Sequence, residues 1–201
     1  MKTAHSVVFF DVDTQIDFLY PAGALYVPGA EALVPRIAAL NRYAAANGIP
    51  VVSTMDAHAE NDPEFAAWPP HCVVETTGQQ KPASTLAEKR VVVPNAIPPS
   101  GLSGINIAGA QQILLEKQAL DCFTNVNLGK LLDELAAERY VVYGVVTEIC
   151  VQFAAFGLLK TGKRVELVTD AIQSLDADAA SKMTAAFTAQ GGVLTTSAEV
   201  M

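Results

Sequence analysis

The chain has 201 residues, of which 51% are hydrophobic and 17% are charged, and its formal net charge at pH 7 is -8. This length and composition predict one domain over residues 1–201 with a sizeable core, and they exclude a disordered chain. The acidic balance argues against nucleic acid as a partner, because nothing basic offsets the repulsion by phosphates.

The sequence also predicts where the protein works. No apolar run reaches the length that crosses a membrane, so we expect no membrane partner. The opening MKTAHSVVFFDVDTQIDF carries acids inside its apolar stretch and lacks a signal-peptide pattern. The three cysteines (Cys72, Cys122 and Cys150) are an odd number without framework spacing. These features favour a reducing compartment and predict a cytoplasmic protein.

Strand-length apolar runs alternate with segments of helical periodicity. In chain order, the predicted elements are a strand in SVVFFDV, a helix in GAEALVPRIAALNRYAAANG, a strand in IPVVSTMD, a strand ending AGAQQILLEK, a helix in NLGKLLDELAAER, a strand in YVVYGVV, a helix in EICVQFAAFGLLKTGK, a strand in RVELVTD, a helix in ADAASKMTAAFTAQGG and a strand in VLTTS. This alternation indicates a mostly parallel sheet covered on both faces. We therefore predict a three-layer α/β/α fold with about six strands.

The stretch at about residues 73–108 departs from this alternation. It contains four prolines and three glycines. We interpret it as a long loop excursion with one short strand at RVVVP. Long loops in compact domains are often functional, so the excursion is a candidate for a part of the site.

Reactive side chains follow four of the predicted strands. Asp13 follows the first strand, Asp56 and His58 follow IPVVSTM, Lys117 ends ILLEK, and Cys150 follows YVVYGVV. Ligands of parallel α/β sheets bind beyond the carboxyl ends of the strands. We therefore expect these side chains to converge on one edge of the sheet.

Cys150 has two interpretations. It is either a small apolar residue inside a helix or a nucleophile at the start of that helix. If Thr147 caps the helix, Cys150 lies in the first turn, where free N–H groups and the helix dipole favour a thiolate and an oxyanion. Cys72 and Cys122 lack such a setting and are predicted to be bystanders.

A thiol nucleophile needs a base, and Asp13 is the candidate. Lys117 would keep the acid ionised and stabilise developing negative charge. The alternatives are a solvated loop acid and a surface lysine. Asp11 and Asp17 fit the role of a loop acid or helix cap better than Asp13 does.

The segment MDAHAENDPEFAAWPPHCV holds a candidate metal site. It contains Asp56, His58, Glu64 and His71, and two of the three histidines of the chain lie in it. An Asp-x-His pair with a third ligand from the next loop can chelate a divalent ion and leave positions open for water. The alternative is a polar loop with incidental histidines.

Several motifs together resemble one known family. FDVDTQIDFLYPAGALYVPGA resembles the opening of the isochorismatase-like cysteine hydrolases, and DAH with WPPHCV resembles the metal segment of their nicotinamidase branch. LEKQALDCFTN is similar to the lysine segment of the family, and VVYGVVTEICVQFAA is similar to its cysteine segment. The resemblance covers nearly the whole chain in order.

The resemblance implies a role for each matching position. Asp13, Lys117 and Cys150 would be the catalytic residues, with Cys150 as the nucleophile. The family carries a non-proline cis peptide before the cysteine turn, here Val145–Val146. The backbone N–H groups of Val146 and Cys150 would form the oxyanion hole.

The resemblance also implies a metal and a ring pocket. Asp56, His58 and His71 match the metal ligands, and Glu64 would supply a further, water-mediated ligand. The ion would be one divalent metal per chain, with zinc expected ahead of iron or manganese. The aromatic residues expected to bind the substrate are Phe18, Trp68 and Phe123.

The implied activity is hydrolysis of nicotinamide to nicotinate and ammonia through a thioester, in a homo-oligomer of unspecified size. Two departures bear on the substrate: HCVVETTGQQK places Glu75 near the site, and QALDCF is closer to other branches. One alternative is therefore another amidase, acting on a different small amide or carbamoyl compound. A second is a non-catalytic member that binds a ligand. Isochorismate hydrolysis is less expected, because those members lack this metal segment.

Overall fold

The computed structural model of the protein describes residues 5–95 and 106–201. Within these residues, one parallel sheet is formed by β1 (Val8–Val12), β2 (Val51–Asp56), β3 (Arg90–Val93), β4 (Gln112–Lys117), β5 (Arg139–Val145), β6 (Arg164–Gln173) and β7 (Val193–Thr195). The strands lie in the order β3-β4-β2-β1-β5-β6-β7, and each neighbouring pair is parallel.

Helices cover both faces of this sheet. They are α1 (Ile16–Leu19), α2 (Val34–Ala46), α3 (Leu128–Leu135), α4 (Gln152–Leu159), α5 (Ala177–Ala189) and α6 (Ser197–Val200). Buried side chains of α3, α4 and α5 pack on one face, and those of α1, α2 and α6 pack on the other. None of the helices in the described ranges is long and apolar enough to cross a membrane.

The central strand β1 explains why the sheet has two hydrophobic cores. Successive side chains of a strand point to opposite faces, so a continuous apolar run feeds both. Val8, Phe10 and Val12 lie in the core under α3, α4 and α5, whereas Phe9 lies in the core under α1 and α2. The predicted three-layer α/β/α fold is confirmed.

The sheet has seven described strands where about six were expected. The seventh is the edge strand β3, which forms at the RVVVP segment and pairs only with β4 in the described sheet. Helix α3 is shorter than its predicted segment, because Ala136 adopts a left-handed φ of 46° directly after Leu135.

The excursion between β2 and β4 is described in part. It contains a 3-10 turn at Ala83–Thr85 and strand β3. Pro98, Pro99, Gly101 and Gly104, which contributed to its prediction as a loop, lie outside the described residues.

Candidate functional site

Four strands end with a candidate residue at one edge of the sheet. Asp56 and Lys117 are the last residues of β2 and β4, and the two are paired in the register between these strands. Asp13 directly follows β1, and Cys150 lies in the turn after β5. Because β4, β2, β1 and β5 are consecutive neighbours in the sheet, the structure brings these four side chains together, as the rule for strand ends predicts.

The ammonium group of Lys117 is the centre of this cluster. Its Nζ lies 2.5 Å from Asp56 Oδ1, 2.9 Å from Asp13 Oδ2 and 3.9 Å from Cys150 Sγ. Lys117 is fully buried, and the two carboxylates are almost fully buried. A cation enclosed in this way stabilises negative charge on any of the three groups.

The buried charges shift one another's protonation. Burial disfavours the charge on Lys117, but the carboxylates of Asp13 and Asp56 outweigh it and raise the lysine pKa well above its ordinary value. Burial also opposes ionisation of Asp56, yet Lys117, His58 and His71 lower the Asp56 pKa well below its usual range. For Asp13, burial outweighs the opposing effect of Lys117 and raises the pKa. Asp13 is therefore the acid that exchanges a proton more readily.

The turn after β1 holds Asp13 and Asp56 in place. Asp13 adopts a left-handed φ of 49°, and its Oδ1 accepts a hydrogen bond of 2.6 Å from the hydroxyl of Thr54. The side-chain amide of Gln15 bonds to Asp56 from both sides, since its Oε1 accepts from Asp56 N and its Nε2 donates to Asp56 O. The sequence contained Gln15 in the TQIDF motif but did not reveal this clamp.

Cys150 lies in a π-helical turn, Thr147–Val151, which we call the cysteine turn. The prediction that Thr147 caps the helix is wrong: Val146 precedes the turn, and the Thr147 hydroxyl donates to Gln173 O at 3.0 Å. The hydroxyl of Thr147 is therefore bonded to the end of β6 and not to the N–H groups that follow it. The Val145–Val146 peptide bond is cis, as the family resemblance implied.

The thiol of Cys150 is buried at the floor of the site, with 7% of the residue exposed. Burial, the largest effect, raises the pKa of this thiol well above its ordinary value; Lys117 opposes the rise, and the carboxylates of Asp13 and Asp56 add to it. The expectation that the helix start favours a thiolate is therefore wrong for this state, because desolvation dominates. The resting group is a thiol that needs a base.

Asp56, His58 and His71 form a buried group whose potential ligand atoms all lie within 4.8 Å of one another. Asp56 Oδ2 lies 3.8 Å from Nε2 of each histidine. At the other ring nitrogens, His71 Nδ1 is hydrogen-bonded to Pro69 O at 2.8 Å, and His58 Nδ1 lies 3.1 Å from Asp62 Oδ2 without a hydrogen bond. Because a carbonyl can only accept, the His71 ring donates from Nδ1, so the neutral form of the ring has its lone pair on Nε2.

This group fits a divalent cation. Among the described residues, both ring nitrogens of His58 are buried without a hydrogen-bond partner, and Nε2 is the one that faces Asp56. Two imidazoles and one carboxylate are a ligand set for zinc, iron or manganese with positions left open, and the hydrogen bond to Pro69 orients the ring of His71. Glu64 lies outside the group, with its Oε1 4.0 Å from His71 Nε2. A direct bond from Glu64 is not part of this arrangement.

A narrow cavity opens onto the thiol and the candidate metal ligands. Its walls are Phe18, Leu25, Val27, Asp56, Glu64, Trp68, His71, Leu120, Val146, Ile149, Cys150 and Leu175. Phe18 and Trp68, which were predicted to bind the substrate, line this predominantly apolar cavity opposite a few polar groups. Such a cavity suits a small, flat ligand with one polar end.

Phe123, predicted to bind the substrate, does not line the cavity that contains the thiol. Its ring packs over Gly157 of α4, so closely that a Cβ on Gly157 would lie 2.1 Å from Phe123 Cε2. Phe123 faces a separate groove beside Phe156. Leu120, from the same segment, lines the cavity instead. The absent side chain at Gly157 is what admits the ring to that position.

Asp11 was predicted to suit a loop or cap, and this is wrong because it lies inside β1 with no exposure. Its carboxylate accepts hydrogen bonds from Thr14 (2.7 Å) and Ser53 (2.9 Å) and lies 3.4 Å from Lys81 Nζ. An acid within an apolar strand was itself the missed signal, since a buried carboxylate requires partners.

Two further acids of the sequence lie away from the thiol. Asp17 is not a solvated acid: its carboxylate accepts from Ala24 N (2.9 Å) and Cys72 N (2.7 Å) and so ties two loops together. Glu75, expected near the site, is exposed and does not line the cavity. Its backbone N–H donates to Gln79 Oε1.

The three-layer fold, with an acid, a lysine and a thiol together at its strand ends, is that of an isochorismatase-like hydrolase. The model of the Isochorismatase domain matches residues 7–199, and the chain belongs to this family. The resemblance predicted from the sequence, to this family and its nicotinamidase branch, is confirmed.

Three relatives place the chain within the family. A nicotinamidase of Acinetobacter baylyi is 25% identical over 197 residues, which cover 88% of this chain and 85% of the relative. The crystal structure of Pyrococcus horikoshii pyrazinamidase in complex with zinc is 26% identical, with a TM-score of 0.79 over 96% of this chain and 99% of that one. The crystal structure of PnC1 from L. infantum in complex with nicotinate is 30% identical, with a TM-score of 0.74 over 98% of this chain and 96% of that one.

Proposed function

We propose that the chain is a metal-containing cysteine amidohydrolase that converts nicotinamide into nicotinate and ammonia. One observation carries this proposal: the Lys117 ammonium contacts Asp13 and Asp56 and lies 3.9 Å from the Cys150 sulfur. That thiol lines the same narrow cavity as the candidate metal ligands Asp56 and His71. A small amide can therefore have its carbonyl at the thiol while its other end faces the metal ligands.

The reaction begins with a proton transfer. Cys150 rests as a thiol, and the ionised carboxylate of Asp13 takes its proton. Lys117 stabilises the thiolate as it forms, because it lies beside both groups. The sulfur then attacks the amide carbon, and the carbonyl electron pair moves onto oxygen.

The resulting oxyanion needs hydrogen-bond donors within the cavity. We assign the backbone N–H groups of Val146 and Cys150 to this role, since both residues line the cavity at the cysteine turn. When the oxyanion collapses, the C–N bond breaks. Asp13 returns its proton to the leaving nitrogen, and ammonia departs from a thioester on Cys150.

Hydrolysis of the thioester restores the enzyme. The Asp13 carboxylate accepts a proton from water, and the hydroxide attacks the thioester carbon. The C–S bond breaks, the proton on Asp13 returns to the Cys150 sulfur, and the product acid leaves as nicotinate after releasing its own proton to solvent. One acid thus serves as base and acid in both halves of the reaction.

We assign Asp56, His58 and His71 to one divalent ion per chain, with zinc first and iron or manganese as alternatives. When bound, the ion supplies a Lewis-acidic centre that anchors the ring nitrogen of the substrate. The buried, partnerless His58 Nε2 supports this assignment. So does the zinc named in the Pyrococcus horikoshii complex. The nicotinate in the L. infantum complex is the product that we propose here.

One observation favours a second candidate, an amidase for a different small amide or carbamoyl compound. The carboxyl group of Glu64 lines the cavity beside His71, and its pKa is raised by burial and by Asp56. A carboxyl group there can hydrogen-bond a substrate that carries its own donor groups. The non-catalytic alternative gains no support, because a buried acid, lysine and thiol in contact cost stability without helping to bind a ligand.

The test is ammonia release from a panel of small amides, with and without chelator. We expect nicotinamide and pyrazinamide to be hydrolysed and chelation to abolish turnover. Benzamide, which has the same ring size without the ring nitrogen, is the matched control and should be a poor substrate. Equal turnover of benzamide and nicotinamide would remove the ring-anchoring role and favour the second candidate.

A further inference from the structure

The cysteine turn also holds a wall of the cavity. Glu148, two residues before the thiol, points its carboxylate at the loop between β6 and α5. Its Oε1 accepts hydrogen bonds from Leu175 N (2.9 Å) and Asp176 N (2.8 Å). The hydroxyl of Thr147 bonds to Gln173 O, at the end of β6 and directly before this loop. Three contacts therefore join the nucleophile's turn to this short segment.

Through Leu175, these hydrogen bonds connect the cysteine turn to the wall of the cavity. Its side chain lines the cavity that contains the thiol, yet 46% of the residue is exposed. Among the large exposed apolar residues of the described chain, it is the one at this cavity. An exposed leucine at the mouth of a binding cavity is a surface that a ligand would cover.

The Glu148 carboxylate holds the backbone of the loop at Leu175. The neighbouring Asp176 caps α5 through bonds to Asp178 N and Ala179 N, so the α5 side of the loop is fixed locally. Leu175 itself lies in an exposed loop, where few packing contacts hold a side chain. Hydrogen bonds from two N–H groups to one carboxylate are charge-assisted and supply that missing restraint.

We propose that Glu148 is a positioning residue that fixes Leu175 as the outer wall of the cavity, and that this pair sets the largest ring that the site admits. The inference rests on the proposed function for the identity of the ligand, a single flat ring bearing an amide. With the wall in place, a ring fits beside the thiol only if it carries no bulky substituent facing Leu175. The two hydrogen bonds to Glu148 also connect this wall to the nucleophile, because Glu148 and Cys150 belong to the same turn.

The test measures access to the Cys150 sulfur with two alkylating probes, so it does not depend on which amide is the substrate. Iodoacetamide is small, and its N-phenyl derivative carries a ring. Each forms a carbon–sulfur bond with loss of iodide and of the thiol proton, and mass spectrometry of the Cys150 peptide separates this reaction from any at the other cysteines. The readout is the ratio of the two rates.

We expect Leu175→Ala to shift this ratio towards the larger probe by about tenfold, the scale of a changed hydrophobic pocket contact. Glu148→Ala should shift it in the same direction, because the wall loses its anchor. Glu148→Gln keeps an acceptor oxygen and should retain the native ratio. Leu194→Ala is the matched control: Leu194 is similarly exposed at 44% but lies on β7, away from the cavity.

An unchanged ratio in Leu175→Ala or Glu148→Ala would overturn the proposal, as would a shift of equal size in Leu194→Ala. If Glu148→Gln gave the same ratio of alkylation rates as Glu148→Ala, the two hydrogen bonds to Glu148 would not be what positions Leu175. Thermal melting of each variant checks that it is folded. Wild-type protein that alkylates selectively but releases no ammonia from any ring amide would refute the proposed function alone.

Discussion

At the scale of single residues, the site is organised around one cation shared by two carboxylates. Asp56 lies closer to Lys117 than Asp13 does and also faces two histidines, so it is kept ionised. Asp13 lacks those histidines, and burial raises its pKa. When the environments of two neighbouring acids move their pKa values apart, the difference indicates which acid stays ionised and which one transfers protons. This difference supports our proposal that Asp56 contributes charge and binds the metal, and that Asp13 transfers protons.

The nucleophile gives the first prediction. Cys150→Ala should abolish amide hydrolysis while the protein stays folded, because removing one sulfur atom from this site costs about 1 kcal/mol. Cys122→Ala is the matched control: Cys122 is also buried in the core but lines no part of the cavity. Ammonia release and circular dichroism measure the two effects. Near-native turnover by Cys150→Ala would rule out the thioester.

The supporting pair gives the second prediction. Asp13→Asn and Lys117→Ala should each lower kcat by roughly 10²–10⁴, the range for loss of a positioned acid or base. The double variant should lose little more, because the two residues act on the same thiol. Asp11→Asn, assayed below its melting temperature, is the control and should lose less than tenfold. A larger loss in Asp11→Asn than in Asp13→Asn would reverse the assignment of the two acids.

The raised pKa of Asp13 gives the third prediction, for pH dependence. A group is protonated below its pKa, and protonated Asp13 cannot accept the thiol proton. The kcat should therefore fall as pH drops through a midpoint above the ordinary aspartate value of about 3.9. Glu64→Gln removes another acid with a raised pKa and should leave the midpoint in place. A midpoint at the ordinary value, or one that moves in Glu64→Gln, would contradict Asp13 as the base.

At the scale of elements, the excursion after β2 supports the turn that carries Asp13. Backbone carbonyls of Gly78 and Gln80 accept from the N–H groups of Asp17 and Ile16, and the carbonyl of Gln79 accepts from the side chain of Gln15. Gly78 is required for this contact, since a Cβ there would lie 2.1 Å from the carboxylate of Asp17. Residues 78–80 thus hold the turn that carries Asp13 in place.

Lys81, the next residue of this segment, gives the fourth prediction. It is 4% exposed and bonds to Thr14 Oγ1 at 2.9 Å besides pairing with the buried Asp11. Lys81→Met should lower the free energy of unfolding by about 3–5 kcal/mol, because it leaves the Asp11 charge buried alone. Adding Asp11→Asn should recover most of this loss. Urea unfolding measures both variants; a double variant no more stable than Lys81→Met would refute the pairing.

The elements with strong local signals were predictable from the sequence. Each predicted strand and long helix is present, because continuous apolar runs and helical periodicity reflect burial directly. Thr147 and Phe123 were misplaced for a different reason. The π-helical winding and the space above Gly157 arise from packing between distant segments, which no local pattern encodes.

At the scale of the whole molecule, the site follows from strand order. Residues more than one hundred positions apart meet because β4, β2, β1 and β5 are neighbours whose carboxyl ends share an edge. That rule allowed Asp13, Lys117 and Cys150 to be grouped from the sequence. The Lys81–Asp11 pair could not be foreseen, since it depends on how the excursion folds back. The cytoplasmic location and the homo-oligomer stay predictions.

The last prediction concerns metal and the stability of the whole fold. Asp56 ends β2, His58 follows it, and His71 lies beyond the 3-10 turn Pro63–Ala66, so an ion joins segments that separate on unfolding. An ion that binds only the folded state at 100 times its Kd stabilises it by about 2.7 kcal/mol. For a chain of this length we expect zinc to raise the Tm of chelated protein by about 5–10 °C.

The histidines of the chain supply matched variants for this experiment. His58→Ala and His71→Ala should lose the zinc-induced shift in Tm, whereas His5→Ala, at the third histidine, should keep it. Elemental analysis should give about one ion per chain in the wild type and far less in the first two variants. Because melting does not involve turnover, this result stands apart from the identity of the amide. A zinc shift that survives in His71→Ala, or vanishes in His5→Ala, would place the ion elsewhere and leave the buried His58 Nε2 without its proposed partner.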